Sequence, residues 1–164
     1  MNKLENNPPF SYKTTGQIIE NLNELTPKYS EVTVSSAQLK TIGSTPYQLL
    51  GTPGANNYYD ILKIIVEFNY ASPTYTLTDP QLFIGTTDNN YAGFWMAKNL
   101  ITSTQKGIVI ANGYSPTSVE GQYPVYANEI LNQAIYLTTS LGGNPATGNG
   151  TLKIKMWYNI RTIG

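Results

Sequence analysis

The sequence predicts an all-β fold, an antiparallel β-sandwich of jelly-roll type preceded by an N-terminal extended arm and one short helix. Three observations predict it. From Glu31 onward the apolar residues recur with a period of two, the mark of half-buried strands. Turn-forming clusters punctuate these runs, at Gly51-Thr52-Pro53-Gly54, Ser72-Pro73, Asp79-Pro80, Asp88-Asn89-Asn90, 113–116 and 142–150. The composition, with 17 Asn, 20 Thr, 10 Ser and 13 Tyr in 164 residues, suits sheet surfaces and turns.

The chain divides into residues 1–30 and 31–164. In residues 1–13 the run Asn6-Asn7-Pro8-Pro9 forbids a regular helix or central strand, so this part reads as an extended arm. Ile18, Leu22 and Leu25, with Ile19 beside them, then fall at helical spacing, with Thr14 or Thr15 as N-cap and Pro27 as the stop. About three turns of helix are marginal alone. This helix either packs on its own domain or gathers copies of itself in a brief parallel coiled coil.

The strands follow. Val32 and Val34 alternate with Thr33 and Ser35. Leu62, Ile64, Val66, Phe68 and Tyr70 share one face of a long strand over 61–70. Lys63, Glu67 and Asn69 take the other face, together with Ile61 and Ile65, so this strand is apolar on parts of both sides. Shorter strands are expected at 75–78, 81–86, 107–111 and 134–139. Leu152, Ile154, Met156, Tyr158 and Ile160 alternate strictly in a last strand, with the Gly-rich 142–150 segment before it as a flexible hairpin tip. Eight or so strands in residues 31–164 match a jelly roll.

The chemistry is bounded by what is missing. The chain has no His, no Cys and one Arg, Arg161. The side chains that usually carry acid–base, nucleophilic and metal chemistry at neutral pH are absent or sparse. No enzyme activity, cofactor or metal is expected. Ten Lys+Arg balance ten Asp+Glu, so the net charge gives no pull toward nucleic acid or an anionic membrane. Without Cys, stability must come from core burial or oligomerisation. A neutral chain with 12% charged residues is poorly defended against self-association, which fits a subunit fixed in an assembly. The first residues lack the apolar core of a secretory signal, and no run approaches the 18 apolar residues of a membrane span.

Several segments are candidates for chemistry. Asp60, Glu67, Asp79, Asp88, Glu120 and Glu129 are scattered, and solvation at loops and strand edges accounts for them better than a catalytic carboxylate pair. Asp88-Asn89-Asn90 lacks the spacing of a calcium loop and reads as a turn. The 142–150 run lacks the Lys-Ser/Thr ending of a phosphate loop and precedes a strand, not a helix. The tyrosines are ambiguous. Tyr58-Tyr59, Tyr91 with Phe94 and Trp95, Tyr114, Tyr123 and Tyr126 cluster in or near expected loops. Such rings can pack in a core, anchor a protein interface or stack on sugars. For glycan contact the candidates are Tyr91, Trp95, Tyr114 and Tyr123.

A family resemblance rests on particular segments. They are Ser35-Ser36-Ala37-Gln38-Leu39-Lys40, Pro46-Tyr47-Gln48-Leu49-Leu50 and Pro53-Gly54-Ala55, followed by the long apolar strand. At the other end are Asn132-Gln133-Ala134-Ile135-Tyr136-Leu137-Thr138, a Gly/Asn/Pro-rich hairpin, and the run from Gly150 to Tyr158. From about Val34 to Gly164 the chain resembles the trimeric jelly-roll domain of phage virion structural proteins, of the head-fibre or capsid-decoration type. The low-charge, Asn/Thr-rich composition also resembles structural proteins of phages with AT-rich genomes, including the gut phages related to crAssphage. The resemblance implies a homotrimer displayed on the virion. It also implies that the N-terminal segment attaches the trimer to capsid proteins, with Pro8, Pro9 and Phe10 in the arm and Ile18, Leu22 and Leu25 near the trimer axis. A glycan-binding adhesin or receptor-binding tail tip on the same fold is the alternative. A polysaccharide depolymerase would need a convergent carboxylate pair.

Overall fold

The two-residue period produces two four-stranded antiparallel sheets packed face to face. The computed structural model describes residues 26–86, 93–114 (backbone only at 113 and 114) and 130–163. The predicted arm and helix, with Pro8, Pro9, Phe10, Ile18, Leu22 and Leu25, lie outside the described residues, as do Tyr91 and Tyr123.

In chain order the strands are β1 (Lys28–Val34), β2 (Tyr47–Leu50), β3 (Asn57–Asn69), β4 (Tyr75–Thr76) and β5 (Gln81–Gly85). Then come β6 (Gly93–Ala97), β7 (Gly107–Tyr114), β8 (Ile135–Thr139), β9 (Ala146–Thr147) and β10 (Thr151–Thr162). Two single-turn helices, α1 (Ser36–Leu39) and α2 (Asn99–Thr102), sit between strands. The first sheet has the order β1-β10-β3-β7, the second β2-β8-β5-β6, and β4 pairs with β9.

This order is a jelly roll. The pairings nest around the β5–β6 hairpin: β3 with β7, β2 with β8, and β1 with β10, as in one long hairpin wrapped on itself. The wrap adds the two contacts that complete the sheets, β10 with β3 and β5 with β8. The predicted sandwich is therefore the observed one. Its first strand begins at Lys28, three residues before the change of period at Glu31.

The core lies between the sheets. Leu152, Ile154 and Met156 of β10 and Ile61, Ile64, Val66 and Phe68 of β3 face Leu82 and Ile84 of β5, Met96 of β6 and Ile135 and Leu137 of β8. Leu39 of α1, Ile42 beyond it, and Leu100 and Ile101 of α2 join the same cluster. α1 starts with a capping box: Ser35 Oγ accepts from the Gln38 backbone N–H, and Gln38 Oε1 accepts from the Ser35 backbone N–H at 2.8 Å. That cap turns the Ser35–Lys40 segment so that Leu39 is fully buried.

One phase of the long strand differs from the sequence reading. Ile61 is 2% exposed, and Leu62 is only half-buried. A bulge explains the swap. Trp157 is opposite Lys63 but Tyr158 is opposite Ile61, so Leu62 is the extra residue and the alternation resets around it.

The Gly142–Gly150 segment is also not a free hairpin tip. Its backbone is clasped by the Asp79 carboxylate, whose Oδ2 accepts from the N–H groups of Leu141 at 2.9 Å and Gly143 at 3.0 Å. Asn144 Oδ1 accepts from the N–H groups of Gly43 and Ser44. Tyr75, 1% exposed, donates its hydroxyl to the Gly150 carbonyl at 2.7 Å, and burial raises its pKa to about 12. The ring of Tyr75 fills the space a side chain at Gly148 would need, at a residue with φ +35°. The glycines here permit close packing.

Asp79 is the exception among the carboxylates expected to be solvated, because it is 4% exposed. Burial alone would raise its pKa, but the two backbone N–H donors, with the Lys98 charge nearby, hold it below the ordinary value. A lowered native pKa means stability that is present above the unfolded carboxylate pKa and is lost as pH falls through the native one. Asp79→Asn should therefore lower unfolding free energy by about 2 kcal/mol at pH 7. The gap between variant and parent, followed by chemical denaturation, should narrow below about pH 4.

Candidate functional site

Strand alternation gives the first sheet an outer face whose residues lie in three rows. Reading from β1 across β10 and β3 to β7, the register aligns Tyr29, Trp157, Lys63 and Asn112. The next row is Glu31, Lys155, Ile65 and Ile110, and the third is Thr33, Lys153, Glu67 and Ile108.

The middle of this face is charged, and its charges are paired. Lys155 Nζ lies 2.7 Å from Glu67 Oε1, and Lys153 Nζ lies 3.3 Å from Glu31 Oε1, both diagonally between neighbouring strands. Glu67 beside Lys155 raises the ammonium pKa. Hydrogen bonds from Tyr29 and Lys153 lower that of Glu31. These groups remain open to water, so the pairs add little to stability. Their effect is to neutralise these four charges, leaving Lys63 as the one charge in the three rows without a carboxylate partner.

One corner is aromatic. The Tyr29 and Trp157 rings pack at 5.0 Å with a 49° tilt, and Lys63 Nζ sits 5.5 Å from the Trp157 ring centroid. Tyr29 donates its hydroxyl to Glu31 Oε2 at 2.7 Å. The opposite edge is aliphatic: Ile108 is 59% exposed and Ile110 53%, beside the half-buried Ile65 of β3.

The outer face of the second sheet differs. Trp95 lies in β6, not in a loop, opposite Phe83 of β5, with ring centroids 4.6 Å apart. Phe83 is 1% exposed. The Trp95 Nε1–H is buried without a hydrogen-bond partner, so it does not point to solvent where it could bond a sugar hydroxyl. Tyr114 is the last residue of β7, opposite Ile61 in the first sheet. These two glycan candidates thus belong to different sheets. Tyr58, Tyr59 and Phe94 are strand residues too.

The described carboxylates are all engaged. Glu31 and Glu67 bind lysines, Asp60 Oδ2 lies 3.2 Å from Arg161 Nε, and Asp79 binds backbone N–H groups. Asp60 and Glu67 belong to β3, not to loops. Among the described residues, no group of three or more His, Cys, Asp or Glu is placed to hold a metal, and no helix is long and apolar enough to cross a membrane.

The outer face of the first sheet was only partly anticipated. Ile65 gave the signal, as an apolar residue out of phase in the long strand. Trp157, Ile108 and Ile110 each read as ordinary strand residues, and Tyr29 falls in the N-terminal segment ahead of the first expected strand.

No family model matches the chain, and no curated protein matches it. Among solved structures, a chain of the cyanophage Pam1 capsid asymmetric unit is similar, with 15% identity, a TM-score of 0.45 and coverage of 82% of this chain and 86% of that one. A chain in the capsid of Ralstonia phage GP4 is similar at 13% identity and a TM-score of 0.36, over 81% of this chain and 82% of that one. Likeness at this level assigns no function.

The split between core and surface is directly measurable. Leu141→Ala, at a position 78% exposed and away from this face, should change folding stability by less than about 0.5 kcal/mol. Ile154→Ala, at a fully buried position, should cost about 2–5 kcal/mol. Urea denaturation of both variants tests the contrast.

Proposed function

We propose that this chain is a structural subunit of a bacteriophage virion, a homotrimeric head-fibre or capsid-decoration protein that works by holding its place and not by catalysis. The observation that carries the reading is the apolar outer edge at Ile108 and Ile110, on a neutral chain with 12% charged residues. Greasy surface of this kind on a sheet edge is an interaction site or an aggregation hazard, and an assembled subunit covers it.

The segments that carry the family resemblance support the same reading. They form the α1 cap, β2, the turn into β3, β8 and β10, which are two joints, one edge strand and two central strands of the jelly roll. In this reading residues 1–25 reach the capsid, Pro8, Pro9 and Phe10 lie along capsid subunits, and Ile18, Leu22 and Leu25 meet their copies near the threefold axis. A glycan-binding tip on the same fold has less support, because Trp95 rests on Phe83 with its N–H out of reach.

The native mass at micromolar concentration should be three times the 18.1 kDa of one chain, and a monodisperse single-chain species would remove the trimer. Because β1 begins at Lys28, a chain lacking residues 1–25 should keep its unfolding midpoint while losing attachment to particles stripped of this protein. Undiminished attachment would remove the anchor.

A further inference from the structure

Among the described residues, five large apolar side chains are exposed, and three of them lie on one face: Tyr29, Ile108 and Ile110 on the outside of the first sheet. Their distribution on that face is informative. Tyr29 is on β1 and the two isoleucines are on β7, which are the two opposite edges of the sheet. Between them run β10 and β3, where Lys155 pairs with Glu67, Lys153 reaches Glu31 of β1, and Lys63 lies over the Trp157 ring.

Symmetry gives this placement a meaning. A twofold contact uses one patch against itself, so it would be satisfied by a single apolar edge. A threefold ring is closed by a head-to-tail contact, in which two different patches of each subunit meet. Three sheets turned toward a common axis would bring the β1 edge of each copy beside the β7 edge of the next.

We infer that the outer face of the first sheet is the contact between copies of this chain, with the Tyr29 edge of one subunit seated on the Ile108–Ile110 edge of its neighbour. This rests on the trimer reading above and deepens it by naming the surfaces. Charge selects a second copy over a strongly charged partner. The ion pairs neutralise four of the five charged side chains in the three rows, leaving Lys63 over the Trp157 ring, and the chain as a whole is neutral. Among the described residues no strand pairs with the outer side of β1 or of β7, so none of them is displaced when these edges approach.

Cysteine cross-linking of the full chain tests the contact, and the absence of native cysteine makes any introduced bond unambiguous. Tyr29 and Ile110 are three strand spacings apart within a subunit, about 14 Å, too far for an internal disulfide. The double variant Tyr29→Cys/Ile110→Cys, mildly oxidised, should give covalent dimers and trimers on a non-reducing gel, while each single variant stays un-cross-linked. Efficient dimers from Ile110→Cys alone would overturn the inference in favour of a twofold contact. A double variant that keeps the trimer mass without cross-linking would overturn this contact and leave the trimer standing. A single-chain mass for the parent protein would remove both. As a second measurement, Ile108→Lys/Ile110→Lys should drop the native mass threefold with the fold retained by circular dichroism. An unchanged trimer mass, with or without loss of particle binding, would overturn the assignment of this face.

Discussion

The register of β10 against β1 and β3 is the constraint on which the rest of the structure depends. β10 is central in its sheet, and its inward residues Leu152, Ile154 and Met156 are all fully buried. Its outward residues Lys153, Lys155 and Trp157 hold the ion pairs and the aromatic corner. Because side chains alternate strictly, a one-residue slip would exchange these two sets. It would bury two ammonium groups and expose three apolar side chains, a loss of several kcal/mol on either count. The composition of the outer face is therefore fixed by the core, and the two cannot vary independently.

The ends of the sandwich are closed by different means. Where the sheets stop, buried leucines and isoleucines on α1 and α2 fill the gap, and polar groups tie the loops to one another. The Asp79 clasp belongs here. A buried carboxylate is costly unless its oxygens are satisfied, and the Leu141 and Gly143 N–H groups satisfy one of them. The same bonds hold the chain leaving β8 against the chain entering β5, so that β9 can pair with β4 and Tyr75 can reach Gly150. A stretch of low-complexity sequence becomes ordered because its neighbours supply the hydrogen bonds it lacks within itself.

What was legible in the sequence follows the range of the interactions. β10 and most of β3 were readable because their alternation runs through many residues and their periodicity is local. The jelly-roll class followed from the number and spacing of such runs. β6 was missed because Phe94 and Trp95 stand in a strand of five residues, too short for a pattern, beside an Asn-rich turn. The one-turn helices fell below the length at which a helical period can be seen. The exchange of Ile61 and Leu62 was hidden because a bulge is a property of the pairing and leaves no mark on the strand itself. Asp79 read as a turn residue, and so it is. That its carboxylate would meet Gly143 depends on contacts between residues far apart in the chain.

The candidate surface was less legible for the same reason, pressed further. Tyr29 and Trp157 come from opposite ends of the described chain and meet only because β1 pairs with β10. Ile108 and Ile110 alternate with Val109 and Ala111 in a strand that looks apolar throughout, and only the pairing with β3 decides which of them face water. The aromatic residues near turns stand out in the sequence by local appearance alone. Aromaticity alone does not distinguish a ring that packs from a ring that binds. Trp95 found its neighbour in Phe83, whereas the exposed surface was assembled from residues with nothing unusual about them singly. What marks that face is the sum: paired charges in the middle contribute little stability, so their placement is better understood by what they remove. They cancel most of the field of that face, with Lys63 set over the Trp157 ring, and the large side chains exposed at its edges are apolar.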